Sequence, residues 1–140
     1  MAGYGSVTPQ PTQGGIYGNT IDKNMAFGNG VRGFGAGVLI AAAGPGMAVY
    51  NNTVSGNLIN GNGLAGVTVH AHTPNQDVSN NTIQGNVIGQ NNVTGDGDAN
   101  DMVTTGIIIY AAATPATERV SGNTIYDNEQ RIFLSNATTS

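Results

Sequence analysis

Hydrophobic and polar residues alternate along this chain in very short runs, and the same pattern recurs at four places. The pattern is aliphatic-x-[Asn/Gly]-Asn-Thr-[Ile/Val]-x-x-Asn, and its copies begin at Ile16, Val49, Val78 and Val120. A short apolar run follows each copy, at Gly37–Ile40, Gly66–Val69, Gly106–Ile109 and, in divergent form, Arg131–Leu134. Such runs, separated by Gly and Asn turns, predict short β-strands. The chain is therefore predicted to be a repeat of about three short strands per unit.

Alternation with a period of two predicts which side chains face inward, and repetition predicts that equivalent residues stack. A continuous aliphatic interior that no single repeat can bury alone indicates a parallel β-solenoid. Asparagines at the turns are expected to stack in the same way. The expected inward columns are Ile16/Val49/Val78/Val120, Ile21/Val54/Ile83/Ile125, Val38/Val67/Ile107/Ile132 and Ile40/Val69/Ile109/Leu134, and the expected Asn columns are Asn19/Asn52/Asn81/Asn123 and Asn24/Asn57/Asn86/Asn128.

One domain is expected, a solenoid of about four coils. An irregular segment is predicted over 1–15, and an acidic insert over 93–105 lengthens the third coil. The coils are predicted at about 16–48, 49–77, 78–119 and 120–136.

These repeats resemble the right-handed parallel β-helix repeats of the pectin-lyase-like superfamily, in the Asn-Thr-Ile-x-Gly-Asn form found in secreted bacterial proteins. The segment from Gly66 to Leu134 is similar to the C-terminal coils of such proteins. The resemblance implies an all-β right-handed parallel β-helix in an extracellular or cell-surface protein, although no signal peptide is visible. The superfamily includes lyases, hydrolases, epimerases and adhesins, so the resemblance implies a fold more specifically than an activity. The small number of coils favours either a fragment lacking N-terminal coils or a homo-oligomer.

Composition narrows the classes of function. The 140 residues include 22 Gly and 18 Asn, and only four are Lys or Arg against eight Asp or Glu. With a net charge of −4, no nucleic-acid partner is expected, because phosphate binding needs clustered basic residues. No apolar run approaches the roughly 20 residues of a membrane-spanning helix. The chain has no cysteine and therefore no thiolate metal site.

The acidic insert is the densest group of oxygen ligands in the sequence. Asp96, Asp98 and Asn100 fall at alternate positions, and Asp101 adds a further carboxylate. Calcium takes six to eight oxygen ligands, and the insert supplies several of them. One prediction is therefore a calcium site in this insert, with calcium as the cofactor. The alternative is a solvated loop whose Gly and Asp residues only form turns.

His70 and His72 are a second, separate candidate. Because Val67 and Val69 face inward, both imidazoles are expected to point outward within reach of one Zn²⁺ or Cu²⁺ ion. Such an ion usually needs one or two further ligands. Asp77 follows in the next turn and Tyr110 is expected beside His70 in the following coil, but neither residue is expected to complete a site. The alternative is two surface histidines that end a strand.

A third candidate is an outward stripe formed by Leu39, Thr68, Ile108 and Phe133, with Tyr110 beside it. An exposed apolar stripe is typical of a contact surface. It is predicted either to bind polysaccharide or another protein chain, or to be covered by the chain's own turns.

The sequence thus favours a non-catalytic structural or binding module that contacts polysaccharide or protein through its lateral face. The alternative is part of a polysaccharide lyase, hydrolase or epimerase with its active residues mostly on other coils. No catalytic residue is assigned, since the arginines do not share a repeat column with the acidic insert and no other close carboxylate pair is evident.

Overall fold

The computed structural model describes residues 2–3, 15–98 and 103–140, and in these ranges the chain forms strands joined by turns, with no helix. Most strands have two or three residues, because Gly and Asn end them. The strands are β1 (Ala2–Gly3), β2 (Gly15–Tyr17), β3 (Thr20–Asp22), β4 (Met25–Phe27), β5 (Val38–Ala42), β6 (Ala48–Tyr50), β7 (Thr53–Ser55), β8 (Leu58–Asn60), β9 (Val67–Ala71), β10 (Thr82–Gln84), β11 (Val87–Ile88), β12 (Thr105–Ala111), β13 (Ala116–Ser121), β14 (Thr124–Ile125), β15 (Gln130–Ser135) and β16 (Ala137–Thr139).

Parallel pairing between successive coils generates the sheets. The strand orders are β1-β5-β9-β12-β15, β16-β13-β10-β7-β3, β14-β11-β8-β4 and β2-β6. Each strand lies beside the equivalent strand of the next coil, as in β5, β9 and β12. The prediction of an all-β parallel β-helix is therefore confirmed.

The two inward columns of the β5-β9-β12-β15 sheet are as predicted. Their members are direct register partners, Val38/Val67/Ile107/Ile132 and Ile40/Val69/Ile109/Leu134. The residues of the middle coils have no exposed surface. Leu134 is 41% exposed, because it lies on the last coil that the structure describes. Stacked burial of this kind provides the main favourable contribution to folding.

The last coil lies in a different register from the predicted one. Ile83 pairs with Val120 rather than Ile125, and Ile125 pairs with Ile88 in the neighbouring sheet. The predicted columns that ended on Val120 and Ile125 are therefore wrong by one turn. The sequence is ambiguous here because consecutive turns of one coil carry the same five-residue pattern, so the last motif fits either turn.

Asparagine ladders run along three turns of the coil. In each ladder the side-chain oxygen of one residue accepts the backbone N–H of the equivalent asparagine in the preceding coil, at 2.9–3.1 Å. The stacking predicted for asparagines is thus confirmed in the first coils and corrected in the last. The ladders are Asn19/Asn52/Asn81, Asn24/Asn57/Asn86/Asn123 and Asn29/Asn62/Asn91/Asn128.

Glu118 continues the first ladder where Asn123 was expected. Its carboxylate oxygen Oε2 accepts the backbone N–H of Asn81 at 2.6 Å, and the residue has no exposed surface. Burial raises the pKa of this carboxyl to about 8, because desolvation outweighs the hydrogen bonds from Asn81. The neutral acid therefore predominates at pH 7, where it takes the place of an uncharged amide.

Candidate metal centre

His70 lies near the end of β9 and His72 directly follows that strand, on the outer face of the β1-β5-β9-β12-β15 sheet. Val67, Val69 and Ala71 alternate into the core, so His70 and His72, which alternate with them, point outward, as predicted. His70 is only 8% exposed, whereas the side chain of His72 is 47% exposed. The sheet therefore presents one buried and one accessible imidazole side by side.

The acidic insert returns to this same place. It leaves the coil after Asn92, whose side-chain amide donates to the Val103 carbonyl at 2.9 Å across the base of the loop. The hydroxyl of Thr94 fixes the outgoing arm by hydrogen bonding to the carbonyl of Gly63 at 3.0 Å. Within the loop, the Asp98 backbone N–H donates to Asp96 Oδ1 at 3.0 Å. These contacts hold both carboxylates against the histidines.

The four side chains form one continuous cluster. His70 Nε2 lies 3.4 Å from Asp96 Oδ2, and His70 Nδ1 lies 3.6 Å from Asp98 Oδ2. His72 Nε2 lies 3.5 Å from the same Asp98 oxygen. One ligand atom each from His70, His72 and Asp98 falls within 4.8 Å of the others, an arrangement that can hold a metal ion.

Asp96 is the buried carboxylate of the cluster, with 4% of its surface exposed. Burial opposes its ionisation, but the contact with His70 and the hydrogen bond from the Asp98 amide outweigh burial and hold the pKa of Asp96 below its usual value. Among the described residues, Asp96 Oδ2, His70 Nε2 and Thr68 Oγ1 are buried without a hydrogen-bond partner. The 3.4 Å between Asp96 Oδ2 and His70 Nε2 is therefore a polar contact that is longer than a good hydrogen bond.

Tyr110 borders the cluster from the next coil. It is the register partner of His70, as predicted, and its ring centroid lies 5.9 Å from that of His70 and 5.4 Å from that of His72. The ring thus packs against both imidazoles and limits their rotation.

A family model described as "Protein of unknown function (DUF1565)" matches residues 9–139. The chain belongs to this family. No curated protein matches it, and no solved structure does. In the described part of the chain, no helix has the length and apolar character needed to cross a membrane. The family description specifies no activity, so function has to be argued from the geometry of the site.

Two candidates that are separate in sequence thus become one cluster in this DUF1565 chain. The carboxylate that approaches both imidazoles is that of Asp98, rather than that of Asp77, which lies outside this cluster. One sequence signal pointed to this: the insert directly precedes β12, the strand that pairs with the histidine strand β9. Two of the predicted calcium ligands, Asn100 and Asp101, lie outside the described residues.

The predicted outward stripe is covered at its centre. Thr68 and Ile108 have no exposed surface, while Leu39 is 38% exposed and Phe133 is half-buried. The stripe is therefore not exposed along its whole length. Because Asp96 packs against His70, two residues from Thr68 on the same face, the acidic insert shields at least this part of the sheet. Shielding by a loop of the chain itself was one of the predicted alternatives, although a different turn was expected.

Proposed function

We propose that this β-helix is a metal-binding module, in which His70, His72 and Asp98 ligate one divalent transition-metal ion on the outer face. The observation that carries the proposal is the convergence of their three ligand atoms within 4.8 Å, although they come from a strand and a distant loop. Two imidazoles and one carboxylate are a common set of protein ligands for zinc.

The distances support this assignment. With bonds of about 2.0–2.1 Å, neighbouring ligands of a tetrahedral zinc ion lie roughly 3.4 Å apart. The separations of Asp98 Oδ2 from His72 Nε2 and from His70 Nδ1 are 3.5 and 3.6 Å. These two separations are close to that value, and the ligand atoms of the two imidazoles lie within 4.8 Å of each other. Three protein ligands leave a fourth position for water or an external ligand.

The donor types favour Zn²⁺ or Cu²⁺ over Ca²⁺. Imidazole nitrogen suits zinc and copper, whereas calcium requires six to eight oxygens. In the described part of the insert, the carboxylates of Asp96 and Asp98 face imidazoles instead of converging on each other. Calcium binding by Asp96, Asp98, Asn100 and Asp101 is the competing proposal, and the same experiment tests it.

In its wider setting, we propose an extracellular module related to the pectin-lyase-like proteins, which contacts polysaccharide or another chain through its lateral face. Leu39, Tyr110 and Phe133 are the predicted contact residues with exposed surface there, and Tyr110 borders the metal cluster. A ligand on this face would therefore lie close to the open coordination position.

Isothermal titration of the purified chain with Zn²⁺, Cu²⁺ and Ca²⁺ tests the metal proposal. We expect one Zn²⁺ or Cu²⁺ per chain, and at least a tenfold loss of affinity in His72→Ala and in Asp98→Asn. Both side chains are partly exposed, so their replacement should leave the core intact. Asp22→Asn is the matched control, because Asp22 is an exposed carboxylate on another sheet.

The proposal is overturned if Zn²⁺ and Cu²⁺ show no stoichiometric binding, or if His72→Ala and Asp98→Asn bind as tightly as Asp22→Asn. Stoichiometric binding of Ca²⁺ alone would replace it with the calcium site.

A further inference from the structure

His70 lies between two carboxylates that approach its two different nitrogens. Asp98 faces Nδ1 at 3.6 Å, and Asp96 faces Nε2 at 3.4 Å. Only Asp98 also reaches His72. The two aspartates are therefore not equivalent. Asp98 approaches both imidazoles, whereas Asp96 contacts only His70, at the ring nitrogen that faces away from Asp98.

A neutral imidazole carries one N–H and one lone pair, and a metal ion binds the lone pair. If Nδ1 of His70 is the ligand atom facing Asp98, the proton has to sit on Nε2. The atom beside Nε2 is Asp96 Oδ2, which can only accept a hydrogen bond while the carboxylate is ionised. Metal-binding histidines commonly donate their second N–H to a carboxylate in this way.

The loop holds Asp96 in place for this role. Its other oxygen, Oδ1, accepts the Asp98 backbone N–H at 3.0 Å, which leaves Oδ2 pointing at the imidazole. Both Asp96 Oδ2 and His70 Nε2 are buried and lack any other hydrogen-bond partner among the described residues. A buried donor and a buried acceptor facing each other would otherwise each incur a desolvation cost.

We propose that Asp96 is a positioning residue of the metal centre: it fixes His70 in the Nε2–H tautomer, so that Nδ1 is free to bind the ion with His72 and Asp98. This inference rests on the proposed function, and it assigns Asp96 a role distinct from that of a ligand. Asp96 and Asp98 belong to one short turn, which a hydrogen bond between them closes. A single loop conformation therefore supplies both the ligand, Asp98, and the positioning residue, Asp96.

Asp96→Asn provides a sharp test. In this variant the amide oxygen of the new side chain continues to accept the Asp98 backbone N–H. The NH₂ group of the same side chain is therefore turned towards His70 Nε2. That nitrogen then has to act as an acceptor, which moves the proton to Nδ1 and blocks the metal position. We expect Zn²⁺ affinity to fall about 10–100-fold, the range typical of lost outer-shell partners.

Asp77→Asn is the matched control. Asp77 Oδ1 accepts the backbone N–H two residues ahead, at Ser79, as Asp96 does at Asp98, but Asp77 is exposed and is not part of the metal cluster. We expect its Zn²⁺ affinity to match that of the unmodified chain.

A second readout needs no metal. Nitrogen NMR of imidazole-labelled protein at pH 8 distinguishes the two neutral tautomers. We expect Nε2–H for His70 in the unmodified chain and Nδ1–H in Asp96→Asn.

These results distinguish the role of Asp96 from metal binding itself. The role of Asp96 is overturned, while metal binding stands, if the unmodified chain binds Zn²⁺ but Asp96→Asn binds it as tightly as Asp77→Asn. The same conclusion follows if the chain binds Zn²⁺ but its metal-free His70 is the Nδ1–H tautomer. If the unmodified chain binds no Zn²⁺ or Cu²⁺, the proposed function fails, and the metal-free tautomer still decides whether Asp96 orients His70.

Discussion

At the scale of single residues, the molecule depends on polar side chains that are buried and satisfied. Asn57 illustrates this: it is 1% exposed, its Nδ2 donates to Asn86 Oδ1 and to the Ile21 carbonyl, and its Oδ1 accepts from Asn24. Such networks stabilise a fold only when every member has a partner. Glu118 is the ionisable member of a ladder otherwise made of amides, and its charge state therefore affects stability.

Glu118→Gln should make the free energy of unfolding less dependent on pH. The folded-state pKa of about 8 lies above the usual 4.5, so folding takes up a proton between these values. The stability contributed by the neutral acid is complete below pH 4.5 and is lost as the pH rises through about 8, with a slope of up to about 1.4 kcal/mol per pH unit. Glutamine has nearly the same shape as glutamic acid but does not ionise, so this pH dependence should be absent from the variant.

Urea unfolding at pH 5 and pH 8 measures this effect as a difference between the two proteins. We expect the unmodified chain to lose a few kcal/mol more than Glu118→Gln over this interval. Glu129→Gln, at an exposed carboxylate, should behave like the unmodified chain. An equal pH dependence in Glu118→Gln and in the unmodified chain would show that Glu118 is ionised in the fold.

At the scale of elements, successive coils pack closely because glycine occupies the positions where the backbone of one coil approaches residues of the next. Gly66 precedes β9, and a Cβ atom there would lie 2.6 Å from Ile88 Cγ2 and 2.8 Å from the Gly106 carbonyl oxygen. Gly37 and Gly106 meet the equivalent neighbours in the coils that follow them. The glycine at or near the start of each of these apolar strands is therefore required by packing against the next coil rather than by an unusual backbone angle.

Gly66→Ala should destabilise the fold, because the added methyl group overlaps a core side chain and a backbone carbonyl. We expect a loss of about 1–3 kcal/mol in the free energy of unfolding, the usual range for overpacking. Gly33→Ala is the control, because a Cβ atom at Gly33 has no neighbour within 4 Å. Denaturant unfolding of the two variants checks this, and equal stabilities would contradict the close approach.

At the scale of the whole molecule, the sheet and the acidic insert meet at the cluster of His70, His72, Asp96 and Asp98. An ion bound there links β9 to a loop that lies more than 20 residues further along the chain. Binding to the folded chain alone stabilises it by mass action. Metal binding at the proposed site should therefore be visible in global stability as well as in direct titration.

Thermal unfolding with Zn²⁺ should show this stabilisation. At a free Zn²⁺ concentration of 100 times the dissociation constant, the gain is about 2.7 kcal/mol, which raises the Tm of a domain of this size by several degrees. A chelator should reverse the shift, and His72→Ala should show none. A similar rise in Tm for His72→Ala would place the ion elsewhere.

Much of the fold could be predicted from the sequence, because a solenoid repeats its local pattern. The columns through Val67 and Val69 are as predicted, since alternation and spacing determine them. The register of the last coil could not be predicted from its motif. Val120 and Ile125 occupy equivalent places in successive five-residue turns, and only sheet pairing distinguishes them.

The sequence by itself determined that this chain forms a parallel β-helix, and it marked the histidine pair and the acidic insert as unusual. Only the tertiary structure decided that they belong together. A repeat predicts where its own residues stack, because coil spacing is fixed, but an insert leaves the repeat and its direction depends on three-dimensional contacts. Asp98 therefore reaches His72 through a loop path that no periodicity encodes.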